Sequence, residues 1–226
     1  MNASRIIIIG GAYGSGKSEI ALNLARQAAE TGERVILADL DFVNPYFRSR
    51  EQAGNLPEAV EVISTIQGFE TADLPAISGR ITAAIRLDQA RLLIDLGGDP
   101  VGARILRSFA DEPRLQAADF WLVINPYRPF TAEVEQISKL VKALTEAAGL
   151  RPTGIIANPN LLGETTFQQV SSGLEVVKQA ALAVNLPIKA LAIENSLLAK
   201  YPDLQKDLPE LEIFPLRRQL LPPWQT

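Results

Sequence analysis

Hydrophobic positions along this chain follow two alternating rhythms. Short, nearly continuous apolar runs are separated by longer stretches in which apolar residues recur every three or four positions. The runs read as strands buried on both faces: Arg5–Ile9, Arg34–Ala38, Ala59–Ile63, Arg91–Ile94, Asp119–Ile124, Thr153–Ala157 and Ile188–Ile193. The periodic stretches read as helices. Val134, Ile137, Leu140, Val141 and Leu144 share one face behind a predicted N-cap at Thr131. Phe167, Val170, Leu174 and Val177 follow the capping box Thr166-x-x-Gln169. A third stretch has Asp73 as its cap, Pro75 in its first turn, and Ile77, Ile81 and Ile85 inward. Strand and helix alternate along the whole length, which predicts an α/β fold with a mostly parallel sheet covered by helices. No repeat, low-complexity segment or linker interrupts the pattern, so 1–226 reads as a single domain. Residues 216–226, with Pro222-Pro223, read as an extended C-terminal tail.

Composition narrows the chemistry. The 226 residues are 47% hydrophobic and 21% charged, an ordinary globular balance. No apolar stretch approaches the ~18 residues of a membrane-spanning helix, and the N-terminus lacks the pattern of a secretory signal. The segment Leu216–Leu221 is too short, and too closely bounded by Pro215 and Pro222, to act as an amphipathic anchor. A cytoplasmic protein without a stable membrane anchor is expected. The net charge of −4 and the scattered arginines argue against a nucleic-acid partner. The chain has no Cys and no His, which excludes thiolate nucleophiles, imidazole bases and Cys- or His-ligated metals. Proton transfer falls to Asp, Glu, Lys, Tyr or water.

Directly after Ile6-Ile7-Ile8-Ile9 comes Gly11-Ala12-Tyr13-Gly14-Ser15-Gly16-Lys17-Ser18, a G-x-x-x-x-G-K-S/T pattern between a strand and a helix. This is a P-loop, whose glycines let successive backbone N–H groups approach a phosphate without Cβ obstruction. The N-terminus of the following helix and the Lys17 ammonium add positive charge. Ser18 is expected to offer a hydroxyl to Mg²⁺, and Glu19 is counted with the nucleotide-contacting residues.

In a doubly wound sheet the remaining functional groups belong at the carboxyl ends of the strands. The second strand ends in Asp39-Leu40-Asp41, where one carboxylate would hold Mg²⁺ through water and the other orient an attacking water; a turn cap ahead of Pro45 is the alternative. The fourth ends in Asp95-Leu96-Gly97-Gly98, with Asp95 expected beside the metal and Gly98 completing a D-x-x-G that senses the terminal phosphate. Asp99 before Pro100 reads as a cap. Asn125-Pro126 reads as a turn starter, whereas the Asn158 amide reads as the contact to the base. The N-K-x-D carboxylate used for guanine is missing at Asn158-Pro159-Asn160-Leu161, which favours ATP.

The P-loop, Asp39-x-Asp41, Asp95-x-x-Gly98 and Asn158 together resemble the MinD/ParA-like ATPases of the CobQ/CobB/MinD/ParA superfamily. The resemblance implies a three-layer P-loop NTPase fold with seven or eight strands and helices on both faces, and often an ATP-bound homodimer. It implies phosphate and metal roles for Lys17 and Ser18, water positioning by Asp41, a metal-associated switch carboxylate at Asp95 and adenine reading by Asn158. One position departs. The MinD/ParA loop reads G-K-G-G-x-G-K-S/T, and its first Lys reaches the partner subunit's nucleotide; here that position is Ala12. Arg48, Arg50 and Arg104 are candidates to replace it, or are solvated arginines of a helix face. The expected function is a Mg²⁺-dependent, slowly hydrolysing ATP switch for a protein partner. The alternatives are an ATP-dependent synthetase that activates a small carboxylate, as in cobyrinic acid diamide or dethiobiotin synthesis, and a non-hydrolysing ATP sensor.

Overall fold

Successive side chains of a strand point to opposite faces, and the isoleucine run shows what this chain does with that rule. Ile6 and Ile8 pack into one hydrophobic layer, Ile7 and Ile9 into another. Neighbouring strands divide in the same way: Leu92, Ile94 and Leu96 join the first layer and Leu93 the second, while Phe120 and Leu122 oppose Trp121 and Val123. A sheet buried on both faces needs apolar residues at every position, which is why the strands read as continuous runs. Each such fully buried Ile, Leu or Val contributes about 1.5–3 kcal/mol.

The structure is a computed structural model that describes residues 4–41, 56–64 and 74–220. Its strands are β1 (Ile6–Gly10), β2 (Val35–Leu40), β3 (Val60–Ile63), β4 (Arg91–Leu96), β5 (Asp119–Ile124), β6 (Gly154–Ala157), β7 (Ile188–Glu194) and β8 (Ile213–Leu216). The helices are α1 (Lys17–Glu30), α2 (Leu74–Arg86), α3 (Pro100–Ala103), α4 (Pro113–Gln116), α5 (Val134–Ala148), α6 (Phe167–Val184), α7 (Asn195–Leu198) and α8 (Leu204–Asp207). All strand pairs are parallel, in the order β3-β2-β4-β1-β5-β6-β7-β8. Helix α1 packs on one face through Ile20, Ala21, Leu24 and Ala25. Helices α2, α5 and α6 cover the other through Ile81, Ile85, Ile137, Leu144, Leu174 and Val177. This is the three-layer α/β architecture expected from the sequence. Among the described residues no helix is long and apolar enough to cross a membrane.

Local features correct the reading at β8 and Thr131 and agree with it elsewhere. The eighth strand, β8, escaped the pattern because it is four residues long and contains Pro215. It lies at the sheet edge, where a missing N–H is tolerated. Thr131 does not cap α5. Glu133 occupies the cap position, and the Gln136 side chain accepts from the N–H groups of Ala132 and Glu133. Thr131 is instead buried, its hydroxyl donating to the Asn125 carbonyl at 2.6 Å. The Thr166–Gln169 capping box is present, with Thr166 N donating to Gln169 Oε1 at 2.7 Å and Gln169 N to Thr166 Oγ1 at 3.3 Å. Ile81 and Ile85 point inward as expected; Asp73 and the Ile77 side chain lie outside the described residues.

Helix α6 touches the strand-end loops closely at Gly173. A Cβ there would meet Pro159 Cβ at 2.7 Å and Pro126 Cγ at 2.9 Å. Gly173→Ala is expected to overpack this contact and lower stability by about 1–3 kcal/mol. Urea denaturation measures the change, and an unaltered midpoint would contradict the packing.

Candidate functional site

A parallel sheet sends all its strand ends to one edge. Here that edge gathers Asp39 near the end of β2 and Asp41 just after it, Asp95 near the end of β4 and Gly98 after it, Asn125 after β5, Asn158 after β6 and Glu194 at the end of β7. Strand β1 lies between β4 and β5, so the loop that follows it occupies the middle of the group. A cleft of about 390 Å³ opens beside this loop.

The loop leaves β1 tightly wound. Gly11, Gly14 and Gly16 have φ of 147°, 71° and 96°, values that a side chain disfavours. A Cβ at Gly11 would collide with the Val123 carbonyl, and one at Gly16 with the Asn158 amide. Ala12 and Ser15 are buried, whereas Tyr13 is 60% exposed. Helix α1 then begins at Lys17, with Gly16 at its cap position and no side chain capping its first N–H groups. A helix start of this kind is suited to an anion. Lys17 is buried, its ammonium donating to the Ala12 carbonyl at 3.3 Å. Burial pulls its pKa below the ordinary value, opposed by Asp95, Asp41 and Asp99. The Lys17 charge is thus held under the loop by carboxylates from two other strands. Ser18 follows in the first turn of α1, and both residues line the cleft.

The acidic strand ends are adjacent. Asp39 and Asp95 are register partners on β2 and β4, and both are buried. Asp41 N donates to Asp39 Oδ1 at 3.1 Å, so the Asp39 side chain also shapes the turn after β2. Gly97 lies 3.5 Å, measured from its Cβ position, from Asp41 Oδ1. Gly98 lies as close to the phosphate loop: a Cβ there would stand 2.9 Å from Tyr13 N and 3.1 Å from Lys17 Nζ. Asp99 accepts from Gly102 N at 2.7 Å and thereby caps α3.

On the opposite flank, Asn158 is 4% exposed and donates its Nδ2 to the Ser15 carbonyl at 2.8 Å. Its Oδ1 is buried and has no hydrogen-bond partner among the described residues, and neither has Ser15 Oγ. Asn125 serves its turn: Oδ1 accepts from Tyr127 N at 3.0 Å, and Nδ2 donates to the Asn160 carbonyl at 2.8 Å.

One proposed residue is not assembled there. Arg104 is exposed and is not among the residues lining the cleft. Arg48 and Arg50 lie outside the described residues. Glu19 lines the cleft, but its carboxylate is engaged by Gln219 N at 2.7 Å, Leu220 N at 3.0 Å and Asn23 Nδ2 at 3.1 Å. One helical turn on, Asn23 exchanges two hydrogen bonds with the Arg217 backbone, at 2.8 and 3.0 Å. Positions 19, 23 and 26 share one face of α1, and Arg26 completes the clamp on the Gln219 side chain at 3.1 Å. This face binds the segment after β8 across α1, so that Leu216, Arg218 and Leu220 form a wall of the cleft. Sequence reading missed this wall, along with Arg128 and Glu194. For the wall, the polar residues at helical spacing in α1 were the available signal. For Arg128 and Glu194 it was their position just after or at an apolar strand end.

The geometry and the sequence comparisons agree. The profile of the CobQ/CobB/MinD/ParA nucleotide binding domain matches residues 6–193. The chain belongs to this family. It is a nucleotide-binding P-loop domain. No match was found among curated proteins. The fold resembles that of the cell division protein FtsY from Thermotoga maritima, with a TM-score of 0.60 and 21% identity over 83% of this chain and 61% of that one. FtsY from Mycoplasma mycoides gives 0.58 and 18%, covering 83% and 59%. The signal recognition particle 54 kDa protein from Aeropyrum pernix, solved with GDP, gives 0.54 and 23%, covering 82% and 40%. The chain therefore spans between 40% and 61% of the length of these three structures, and the likeness is one of fold.

The Glu19 clamp generates a prediction with a sign. Burial raises the Glu19 carboxyl above its ordinary value, against the hydrogen bonds from Leu220, Gln219 and Asn23 that favour the ionised form. A raised folded-state pKa means that the folded chain holds the proton more tightly than the unfolded one. The group's stabilising contribution is therefore present at low pH and lost as pH rises through the folded value. Glu19→Gln keeps an acceptor and removes the charge, so it should flatten the stability profile in the window that opens above about pH 4.3, the ordinary glutamate value. Glu19→Ala leaves the Gln219 and Leu220 donors unpaired and should cost about 1–3 kcal/mol. Urea titrations across that window test both, and an unchanged slope in Glu19→Gln would refute the assignment.

Proposed function

We propose that this domain binds Mg·ATP, hydrolyses it slowly and acts as a nucleotide-dependent switch for a protein partner in the cytoplasm. The observation that carries the nucleotide choice is the Asn158 amide. The Ser15 atom that Asn158 meets is the carbonyl oxygen, so Nδ2 faces it, and Oδ1 is left as a buried acceptor without a partner among the described residues. A lone acceptor suits an exocyclic amine such as the N6 of adenine and opposes the O6 of guanine, which is itself an acceptor. An unpaired buried acceptor costs about 1–3 kcal/mol, so the correct base relieves a penalty already present in the empty site.

The residues present fit a hard cation. Ser18 offers a hydroxyl at the start of α1, and Asp39 and Asp95 offer register-paired carboxylates at adjacent strand ends. This all-oxygen donor set suits Mg²⁺, which when bound would neutralise charge on the transferred phosphoryl group. Lys17 would bind the outer phosphates, the N–H groups of Gly11–Ser18 would cradle them, and Asp41 would orient the attacking water. Gly98, packed against Tyr13 N and Lys17 Nζ, would register the presence of the terminal phosphate. Loss of that phosphate would loosen the loops after β2 and β4 and change the surface offered to a partner or to a second copy of the chain.

Calorimetry should show ATP bound about 5–150-fold more tightly than GTP, the range given by one mismatched buried acceptor. Equal affinities would remove the adenine reading. Lys17→Ala should weaken nucleotide binding ~10–100-fold, the value of one charge-assisted hydrogen bond. Single-turnover incubation with labelled ATP tests the hydrolysis. No ADP over hours would leave a sensor, and turnover that requires a small carboxylic acid would make the chain a synthetase.

A further inference from the structure

Ala12 leaves the phosphate loop with a single lysine, Lys17, although a nucleoside triphosphate brings up to four negative charges. Another cation stands on the loop from outside. Arg128 donates Nε to the Gly14 carbonyl at 2.9 Å and lines the same cleft as Lys17 and Asn158. Arg34, Arg80, Arg86, Arg91 and Arg114 are each paired with a carboxylate. Arg128 has no such pair, and its two terminal nitrogens have no hydrogen-bond partner among the described residues.

Its position is unusually well fixed for a long side chain. Arg128 N donates to the Asn125 carbonyl at 3.1 Å, and the Arg128 carbonyl accepts from Thr131 N at 3.0 Å. The Asn125 side chain holds Tyr127 N, and the buried Thr131 hydroxyl holds the Asn125 carbonyl. The Tyr127 hydroxyl donates to the Gln169 carbonyl of α6 at 2.6 Å. With the backbone bound at both sides and Nε bound to the loop, little rotamer freedom remains to be lost when the open fork meets a ligand. This also explains why the loop after β5 is built from Asn125 and Thr131. Both spend their polar groups on the turn that presents Arg128.

The loop indicates which part of a nucleotide the fork meets. Gly16 touches Asn158 on the base side, and Tyr13 touches Gly98 on the side of the acidic strand ends. Gly14 is the next residue after Tyr13, and the side chain beside it is Arg128.

We infer that Arg128 is a second phosphate-binding cation acting within its own chain, its guanidinium fork closing over the terminal phosphate of the triphosphate. The inference rests on the nucleotide reading of the cleft. A planar fork binds a phosphate through two parallel hydrogen bonds, a geometry that lysine lacks.

Arg128→Gln separates the fork from the anchor, because Gln Nε2 occupies the position of Arg Nε and can still donate to Gly14. Calorimetry with Mg·ATP and Mg·ADP on the full chain, alongside thermal melts, reads the difference. Arg128→Gln should keep the wild-type melting temperature and lose at least ~10-fold in ATP affinity, one charge-assisted contact, while ADP affinity changes little. Arg128→Lys should recover part of that loss. Equal losses for ATP and ADP would reduce Arg128 to a support for the loop and overturn the inference, as would wild-type ATP affinity in Arg128→Gln. Wild-type chain that binds neither nucleotide would instead overturn the reading of the cleft itself.

Discussion

The phosphate loop is pressed against the ends of three neighbouring strands, and the site depends on that constraint. Gly11 presses on the Val123 carbonyl at the end of β5, and Gly16 on the Asn158 amide beyond β6. Gly98, beyond β4, comes equally close to Tyr13 and Lys17. Each approach works only because one partner lacks a Cβ, and each ties the loop to a different strand. The loop is therefore set by the sheet rather than by its own sequence. A shift of β4, β5 or β6 would move the cradle relative to Lys17.

The same packing distributes the electrostatics. Lys17 is buried under the loop, where its charge costs solvation, and Asp95, Asp41 and Asp99 offset that cost. On the opposite flank, Asn158 gives one half of its amide to Ser15 and keeps the other half unpaired among the described residues. Unsatisfied groups of this kind are uncommon in a buried position and store free energy that a ligand can release. The core contributes rigidity, since β1, β4 and β5 place apolar side chains on both faces of the sheet.

A second tie reaches the site from the far end of the chain. Glu19, Asn23 and Arg26 fasten residues after β8 across α1, the helix that begins with Lys17 and Ser18. The cleft wall and the phosphate-binding helix are thus mechanically joined. Movement of α1 on nucleotide binding would be felt by Leu216, Arg218 and Leu220, which line the same cleft.

Much of this was legible without coordinates. Seven strands, the α6 capping box, the loop and the acidic strand ends were visible because each rests on local chemistry: apolar runs, helical spacing, glycine content and strand-end carboxylates. The fold class followed from their alternation, and the family from their combination. Tertiary structure decided what depends on distant contacts. Pro215 hid β8, which exists because β7 supplies its partner strand. Thr131 left the helix cap because Asn125 required its hydroxyl. The Glu19 carboxylate accepts from Gln219 N and Leu220 N, about two hundred positions away. Arg128 looked like any other scattered arginine until the Gly14 carbonyl was placed beside it. Sequence determined the elements and the chemistry at strand ends, because those are set within a few residues. Which of the polar groups face a ligand and which spend themselves on the fold is set by neighbours that only the packed sheet brings together.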